Sequence, residues 1–160
     1  MANSFGQNPT FNSVQTGKNL ISGLGSTLTL KEEQSGSTIV LDRAAGCTVT
    51  LPANCKDGTY FEFIVSVTST SGGYKVITGT ATELMVGSIL NCDTDTSDAV
   101  AIWKSLVGTA NISFTLGGAD TTKGGIKGDR VEVTKVNSTT WQVHGVTNAT
   151  GSVATPFATS

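Results

Sequence analysis

The chain is poor in the side chains that carry out acid–base or nucleophilic chemistry. His144 is the single histidine in 160 residues, and 14% of the residues are charged. Catalysis of these kinds relies on His, paired carboxylates, Lys or an activated Cys. No Ser or Cys is arranged around His144 in the sequence in the manner of a catalytic triad. We therefore expect no enzymatic activity and no catalytic residues.

An acidic run has the one spacing that suggests a cation. Asp93, Asp95 and Asp98 offer hard oxygen ligands at spaced positions, as the start of a calcium loop does. An EF-type loop beginning at Asp93 would need Gly at its sixth position and Glu at its twelfth, where this chain has Asp98 and Lys104. We interpret the run as a solvated acidic loop. A weak site completed by other loops is the open alternative.

The three cysteines are an odd set without CxxC spacing: Cys47, Cys55 and Cys92. A disulfide framework would need an even number, and a zinc site would need paired ligands. We expect reduced thiols, no metal site and no cofactor.

The glycine-rich segment at residues 124–129 resembles a phosphate-binding loop only superficially. It lacks the P-loop spacing and the Lys-Ser/Thr ending, and a predicted strand follows it rather than a helix. We interpret it as a turn whose glycines adopt positive φ.

Four aromatic residues, Tyr60, Tyr74, Trp103 and Trp141, could form a stacking platform for a sugar. Aromatic residues make up only 6% of the chain, and Trp141 alternates with the apolar Val143. Packing in the core is therefore the favoured interpretation. The exposure of the four rings decides between the two.

The bulk properties argue against two classes of partner. The net charge is −2, so the chain has no basic surface for the phosphates of nucleic acid. Residues 1–16 lack the basic and apolar regions of a signal peptide, and no apolar run is long enough to span a membrane. We expect a protein made in the cytoplasm that binds neither nucleic acid nor membrane.

Short β-type runs separated by Gly, Ser, Thr, Asn and Asp predict the fold. Apolar and polar residues alternate in runs such as STLTL, CTVTLP and TYFEFIVSVTS, and turn residues end each run. No segment keeps an amphipathic helical period. The pattern predicts an all-β protein of nine to eleven strands, an antiparallel β-sandwich or barrel of jelly-roll type. Hairpins are expected at residues 71–73 and 137–139.

We divide the chain into an extended arm at residues 1–24, a β-domain at 25–146 and a tail at 147–160. Period-2 alternation predicts which residues of the β-domain form its core, because a one-residue slip would turn each apolar face to water. The predicted core comprises Leu28, Leu30, Ile39, Leu41, Val49, Leu51, Phe61, Phe63, Val65, Ile112, Phe114, Val131, Val133, Trp141 and Val143.

Both ends of the chain carry isolated apolar residues in otherwise polar segments. Such residues can grip a neighbouring molecule, because buried aromatic rings contribute apolar area and extended backbone can pair with a sheet edge. We predict an interface formed by Phe5, Phe11, Val14, Pro156 and Phe157. The alternative is that the ends are disordered or fold back onto their own domain. A small β-domain cannot easily cover every sheet edge alone, so we also expect a homo-oligomer, specifically a trimer.

Two stretches show a recognisable pattern of predicted strands and turns. Residues 41–78 contain an LD-x-A-x-G-x-x-V-T-L-P strand followed by a G-x-x-F-x-F-x-V strand, and residues 124–143 read GGIKGDRVEVTKVNSTTWQV before a GSVATPF tail. From the start of the first stretch to the end of the second, the pattern spans about two thirds of the chain. This pattern resembles small head proteins of tailed bacteriophages, particularly capsid decoration (cement) proteins.

The resemblance implies a structural virion protein without enzymatic activity. Such proteins commonly form trimers on the outside of an icosahedral shell, where they clamp major capsid protein subunits at capsomer junctions. The expected location is the capsid surface, after synthesis in the host cytoplasm. Two alternatives stay open: a tail-fibre or receptor-binding β-module, and a carbohydrate-binding or adhesin-like domain.

Overall fold

A computed structural model describes residues 18–95, 100–106 and 108–160. Within these ranges the chain consists of β-strands, turns and one short 3₁₀ helix, Glu32–Gln34. None of the helical structure in these ranges is long and apolar enough to cross a membrane. The predicted all-β class is confirmed.

The twelve strands of the described ranges form two sheets. The seven-stranded sheet contains, in spatial order, β1 (Leu20–Ile21), β3 (Thr38–Leu41), β5 (Tyr60–Val65), β10 (Arg130–Asn137), β11 (Thr140–Ala149), β7 (Leu84–Asp93) and β8 (Val100–Ser105). The five-stranded sheet contains β12 (Phe157–Ala158), β9 (Ser113–Leu116), β6 (Tyr74–Ile77), β4 (Cys47–Thr50) and β2 (Thr27–Thr29). The sheets pack face to face as a sandwich, and neither closes into a barrel.

Both sheets are mixed, so the expectation of antiparallel pairing throughout is wrong. Strands β1, β3 and β5 run parallel to one another, as do β2, β4 and β6. The reason is that the first six strands alternate between the two sheets. Each turn reverses the chain and also carries it to the other sheet, so every second strand returns to the same sheet in the same direction.

The two predicted hairpins have different outcomes. Strands β10 and β11 pair antiparallel around residues 137–139, which confirms the second hairpin. Residues 71–73 instead connect β5 in one sheet to β6 in the other, so the first hairpin is wrong. Composition alone could not separate a turn within a sheet from a turn between sheets.

Glycine is required where successive turns of this two-sheet coil touch. Gly46 has a φ of 77°, and a Cβ atom there would lie 2.1 Å from the carbonyl oxygen of Gly73. The next residue, Cys47, donates its backbone N–H to that same oxygen at 3.0 Å. The turns at residues 46 and 73 therefore stack backbone on backbone, and a side chain at Gly46 would separate them.

The core lies between the sheets and follows the predicted alternation closely. The predicted core residues are buried, except Leu28 and Ile112, which are partly buried. The ring of Phe63 meets that of Phe114 edge-on across the two sheets, with centroids 6.3 Å apart. This contact joins the middle of one sheet to the other.

The strands run past the predicted domain boundaries at both ends. Strand β1 lies within residues 18–24, the described part of the segment predicted as the arm, and β11 continues to Ala149. Strand β12 lies in the predicted tail and pairs antiparallel with β9.

We predict that Phe63→Ala lowers the free energy of unfolding by about 3–5 kcal/mol, because the ring is fully buried and its removal leaves a cavity. Tyr60→Ala is the matched control, since Tyr60 lies on the same strand, faces the other side and is 48% exposed. Urea denaturation of both variants checks this. Equal losses in the two variants would contradict the assignment of the core face.

Candidate functional site

Pro156 and Phe157, two of the predicted interface residues, are used within the chain's own fold. Phe157 is 7% exposed and lies opposite Phe114 in the pairing of β12 with β9. The carbonyl of Pro156 accepts the backbone N–H of Thr115 at 2.9 Å. The tail therefore folds back onto its own domain, and neither side chain is available to a neighbour while β12 stays paired. Phe5, Phe11 and Val14 lie outside the described residues.

The described part of the acidic run, Asp93 and Asp95, is bound into the fold by hydrogen bonds. Asp93 ends β7 and is 7% exposed, and its carboxylate accepts the backbone N–H of Asp95 at 3.1 Å. The carboxylate of Asp95 accepts the backbone N–H of Gly151 at 2.7 Å, which joins the run to the tail. Asp98 lies outside the described residues. Across the ranges that the structure covers, no three His, Cys, Asp or Glu side chains come together as a metal site.

The glycine-rich segment is a turn organised by a buried carboxylate. Asp129 is fully buried, and one of its oxygens accepts the backbone N–H groups of Gly125 and Ile126 at 2.8 and 3.0 Å. The other oxygen accepts the backbone N–H of Asn148 at 2.7 Å and its side-chain amide at 3.0 Å. Burial raises the pKa of Asp129, and these hydrogen bonds offset part of that effect. Because Asp129 already occupies the donors of the turn, they do not form a phosphate cradle.

The four aromatic residues do not form a sugar-stacking platform. Trp141 and Tyr74 are fully buried and Trp103 is partly buried. Of the four, only Tyr60 is exposed, at 48%. Core packing is confirmed for the first two. A platform of two or more exposed rings cannot be built from this set.

The outer surface of the seven-stranded sheet, which faces away from the core, is where exposed apolar and charged side chains converge. Directly opposed positions on six neighbouring strands build one continuous row across it: Val40, Ile64, Arg130, Val146, Leu90 and Ile102. In a sheet, such opposed positions bring their side chains into contact. The row has a charged part at its centre and an apolar part at the β8 side.

The apolar part, which we call the apolar edge, consists of Leu90, Val100 and Ile102. Val100 and Ile102 are 63% and 62% exposed, and both belong to the edge strand β8. Leu90 is partly buried directly beside Ile102. Scattered exposed apolar residues are ordinary on a protein surface, but a contiguous set on one sheet face marks an interaction surface.

The charged part surrounds a glutamate that is buried on an outer face. Glu62 is 4% exposed because Lys18, Arg130 and Thr38 cover it. Lys18 Nζ lies 2.6 Å from one of its oxygens, and the guanidinium of Arg130 pairs with the other. Burial alone raises the pKa of Glu62, but the hydrogen bonds from Lys18 and Thr38 and the charge of Arg130 outweigh it and leave the pKa below its usual range.

Next to this cluster lies a shallow depression of about 220 Å³. Arg130, Glu132, His144, Gly145 and Val146 line it, and we call these five residues the central depression. His144 and Glu132 are directly opposed on β11 and β10, and Val146 is 49% exposed. The depression combines both signs of charge with an exposed apolar side chain, a combination suited to a protein surface.

Sequence reasoning missed this surface. Glu62 stood in the predicted strand TYFEFIVSVTS, on the side opposite Phe61 and Phe63, and nothing in the sequence singled out Val146 or Ile102. Alternation does show which side a residue faces. The fact that β11, β7 and β8 are neighbours depends on the parallel pairing of β7 with β11, for which no local signal exists.

A second ion pair is fully buried at one end of the core. Lys135 and Glu83 are 1% exposed each, and Lys135 Nζ lies 2.6 Å from a carboxylate oxygen of Glu83. Trp141 Nε1 donates to the other oxygen at 3.0 Å, and the backbone N–H of Asn54 donates to the first at 3.0 Å. Burial alone raises the pKa of Glu83, but these hydrogen bonds outweigh it and leave the pKa below its usual range. With no access for a substrate, the pair is structural.

Comparison of the chain with protein-family models, with curated proteins and with solved structures found no match.

We predict that the stabilisation contributed by Glu83 and Glu62 is lost as the pH drops below about 4.5. Glu83 and Glu62 have folded pKa values below their ordinary value of 4.5, so their stabilisation is complete above that value and is lost as they become protonated below it. Urea denaturation at each pH measures the slope. Because the raised pKa of Asp129 contributes with the opposite sign, the slope is compared with that of Glu83→Gln, and an unchanged slope in that variant would contradict the ionised state of Glu83.

We further predict that Glu83→Gln costs about 3–5 kcal/mol, because it leaves the buried Lys135 ammonium without its counter-charge. Adding Lys135→Met to that variant restores part of the loss, since the uncompensated charge is removed as well. Glu132→Gln, at an exposed position, is the control and changes stability by less than about 0.5 kcal/mol. A double variant less stable than Glu83→Gln alone would contradict the coupling.

Proposed function

We propose that this protein is a structural component of a tailed-bacteriophage head that binds the major capsid protein at capsomer junctions and stabilises the shell. It acts on the capsid surface as a homotrimer and uses no cofactor. The central depression is the part of the molecule that contacts the capsid protein.

The observation that carries the proposal is the outer face of the seven-stranded sheet. An exposed apolar side chain, Val146, stands there among Arg130, Glu132 and His144, on strands held rigidly in the middle of a sheet. Interfaces are typically built in this way, from an apolar centre within a polar rim. Their energy is concentrated in a few central residues.

The segments that resemble decoration proteins support the same assignment. Residues 41–78 include strands β4, β5 and β6, and residues 124–143 include β10 and the first part of β11. Three of the residues that line the central depression lie within or directly beside these segments: Arg130, Glu132 and His144.

The carbohydrate-binding alternative is the weaker one on structural grounds. Of the four aromatic residues considered for it, three are buried or partly buried. The tail-fibre alternative makes a different prediction about the target, namely binding to tails or to the host cell surface rather than to heads.

We predict that the purified protein binds expanded phage heads in stoichiometric amounts and raises their melting temperature. Val146→Lys should weaken this binding about tenfold or more, because a central apolar contact is lost and a charge is placed in the interface. Co-sedimentation with heads and calorimetry of the decorated heads measure the two effects.

Val136→Lys is the matched control, because Val136 is 43% exposed on β10 and lies outside the central depression. It should bind heads as the natural sequence does. If the natural chain binds tails or cells but not heads, the tail-fibre alternative replaces this proposal. Equal head binding by both lysine variants would place the contact on another face.

A further inference from the structure

The four sheet edges of the described chain are unequal. Strands β1, β2 and β12 contain two, three and two residues, whereas β8 contains six, Val100–Ser105. Proteins protect sheet edges by keeping edge strands short or by adding charges and prolines, because a long edge presents unpaired N–H and C=O groups. Strand β8 has no proline and one charged residue, Lys104.

The outer side of β8 also indicates that another segment covers it, since Val100 and Ile102 there are the most exposed residues of the apolar edge.

We propose that β8 is completed by residues 11–16 of a second copy of this chain, which add to its free edge as a strand. The segment reads FNSVQT, six residues without glycine, proline or charge, and it matches the six residues of β8 in length. In an extended strand, Phe11 and Val14 point to opposite sides. One of the two packs on the apolar edge.

The distances favour a second copy over the chain's own arm. The chain enters the described fold at Lys18, beside β1, and β8 is the opposite edge of the same sheet. Six strand spacings separate the two edges, a width of about 29 Å. Phe11 stands seven positions before Lys18 and reaches at most about 25 Å when fully extended. Val14 reaches less, so neither anchor spans its own sheet.

A second copy removes this constraint if its β1 edge faces β8. The contact is then head-to-tail: each copy gives its arm to one neighbour and receives an arm from the other. Heterologous contacts of this kind form a ring when the rotation closes. The inference rests on the homo-oligomer of the proposed function. It is independent of capsid binding, because the central depression and strand β8 have no residue in common.

The test uses two full-length variants and their mixture. Ile102→Lys places a charge on the edge and keeps the arm, whereas the double variant Phe11→Ser with Val14→Ser weakens the arm and keeps the edge. We expect light scattering to give a closed oligomer of three chains for the natural sequence and the 16.4 kDa monomer for each variant alone. Mixed in equal amounts, the variants should form a 1:1 heterodimer, since one intact arm meets one intact edge.

Val67→Lys, at an exposed apolar position outside β8, is the control and should keep the oligomer. A thermal melt of every variant verifies folding. A monomeric natural chain at micromolar concentration, an arm variant that still oligomerises, or a mixture without heterodimer would each overturn the proposal. Loss of head binding by Val146→Lys with the ring intact separates this result from that of the proposed function.

Discussion

The buried ion pair between Lys135 and Glu83 is the constraint on which the rest of the fold depends. It joins three parts of the chain that are distant in sequence: β10, the turn that leads into β7, and the loop after β4 that holds Asn54. A charge buried in this way is stable only with its partner and its full set of hydrogen bonds in place. Alternative strand orders that separate β10 from the entry to β7 would leave a bare charge in the core. The pair therefore favours one arrangement of the seven-stranded sheet, and the sheet in turn creates the outer face.

That outer face follows from two different ways of joining strands. The first six strands alternate between the two sheets. The edge strand β1 contains only two residues, so this edge of the seven-stranded sheet offers little backbone for pairing. Of the later strands, β7 and β11 are the longest, with ten residues each. Strand β8 lies at the other edge of this sheet, where β7 separates its exposed apolar residues from the central depression. One sheet thus carries the central depression in its middle and exposed apolar side chains at one edge.

Each of these two features suits one of the two proposed binding roles. A rigid surface with mixed polarity suits a partner of fixed shape, such as a capsid lattice, because little conformational freedom is lost on binding. A free edge suits an extended segment, because backbone hydrogen bonds pair with any strand of suitable length. The buried Glu62 supports the first role, since its ion pair holds Arg130, one of the side chains that line the depression. The exposed Val100 and Ile102 of β8 support the second.

The sequence by itself determined the all-β class, most of the core and the hairpin between β10 and β11. These depend on alternation and turn chemistry, which act between residues close in the chain. Tertiary structure alone decided that residues 71–73 cross between sheets, that β7 lies parallel to β11, and that Pro156 and Phe157 return to their own core. Pairing between distant strands depends on the shape and polarity of both surfaces at once, so no local pattern encodes it. The positions of Lys135 and Glu62 show this most clearly: alternation places one on the core side and the other on the solvent side, yet both are buried because charged partners 52 and 44 residues away meet them.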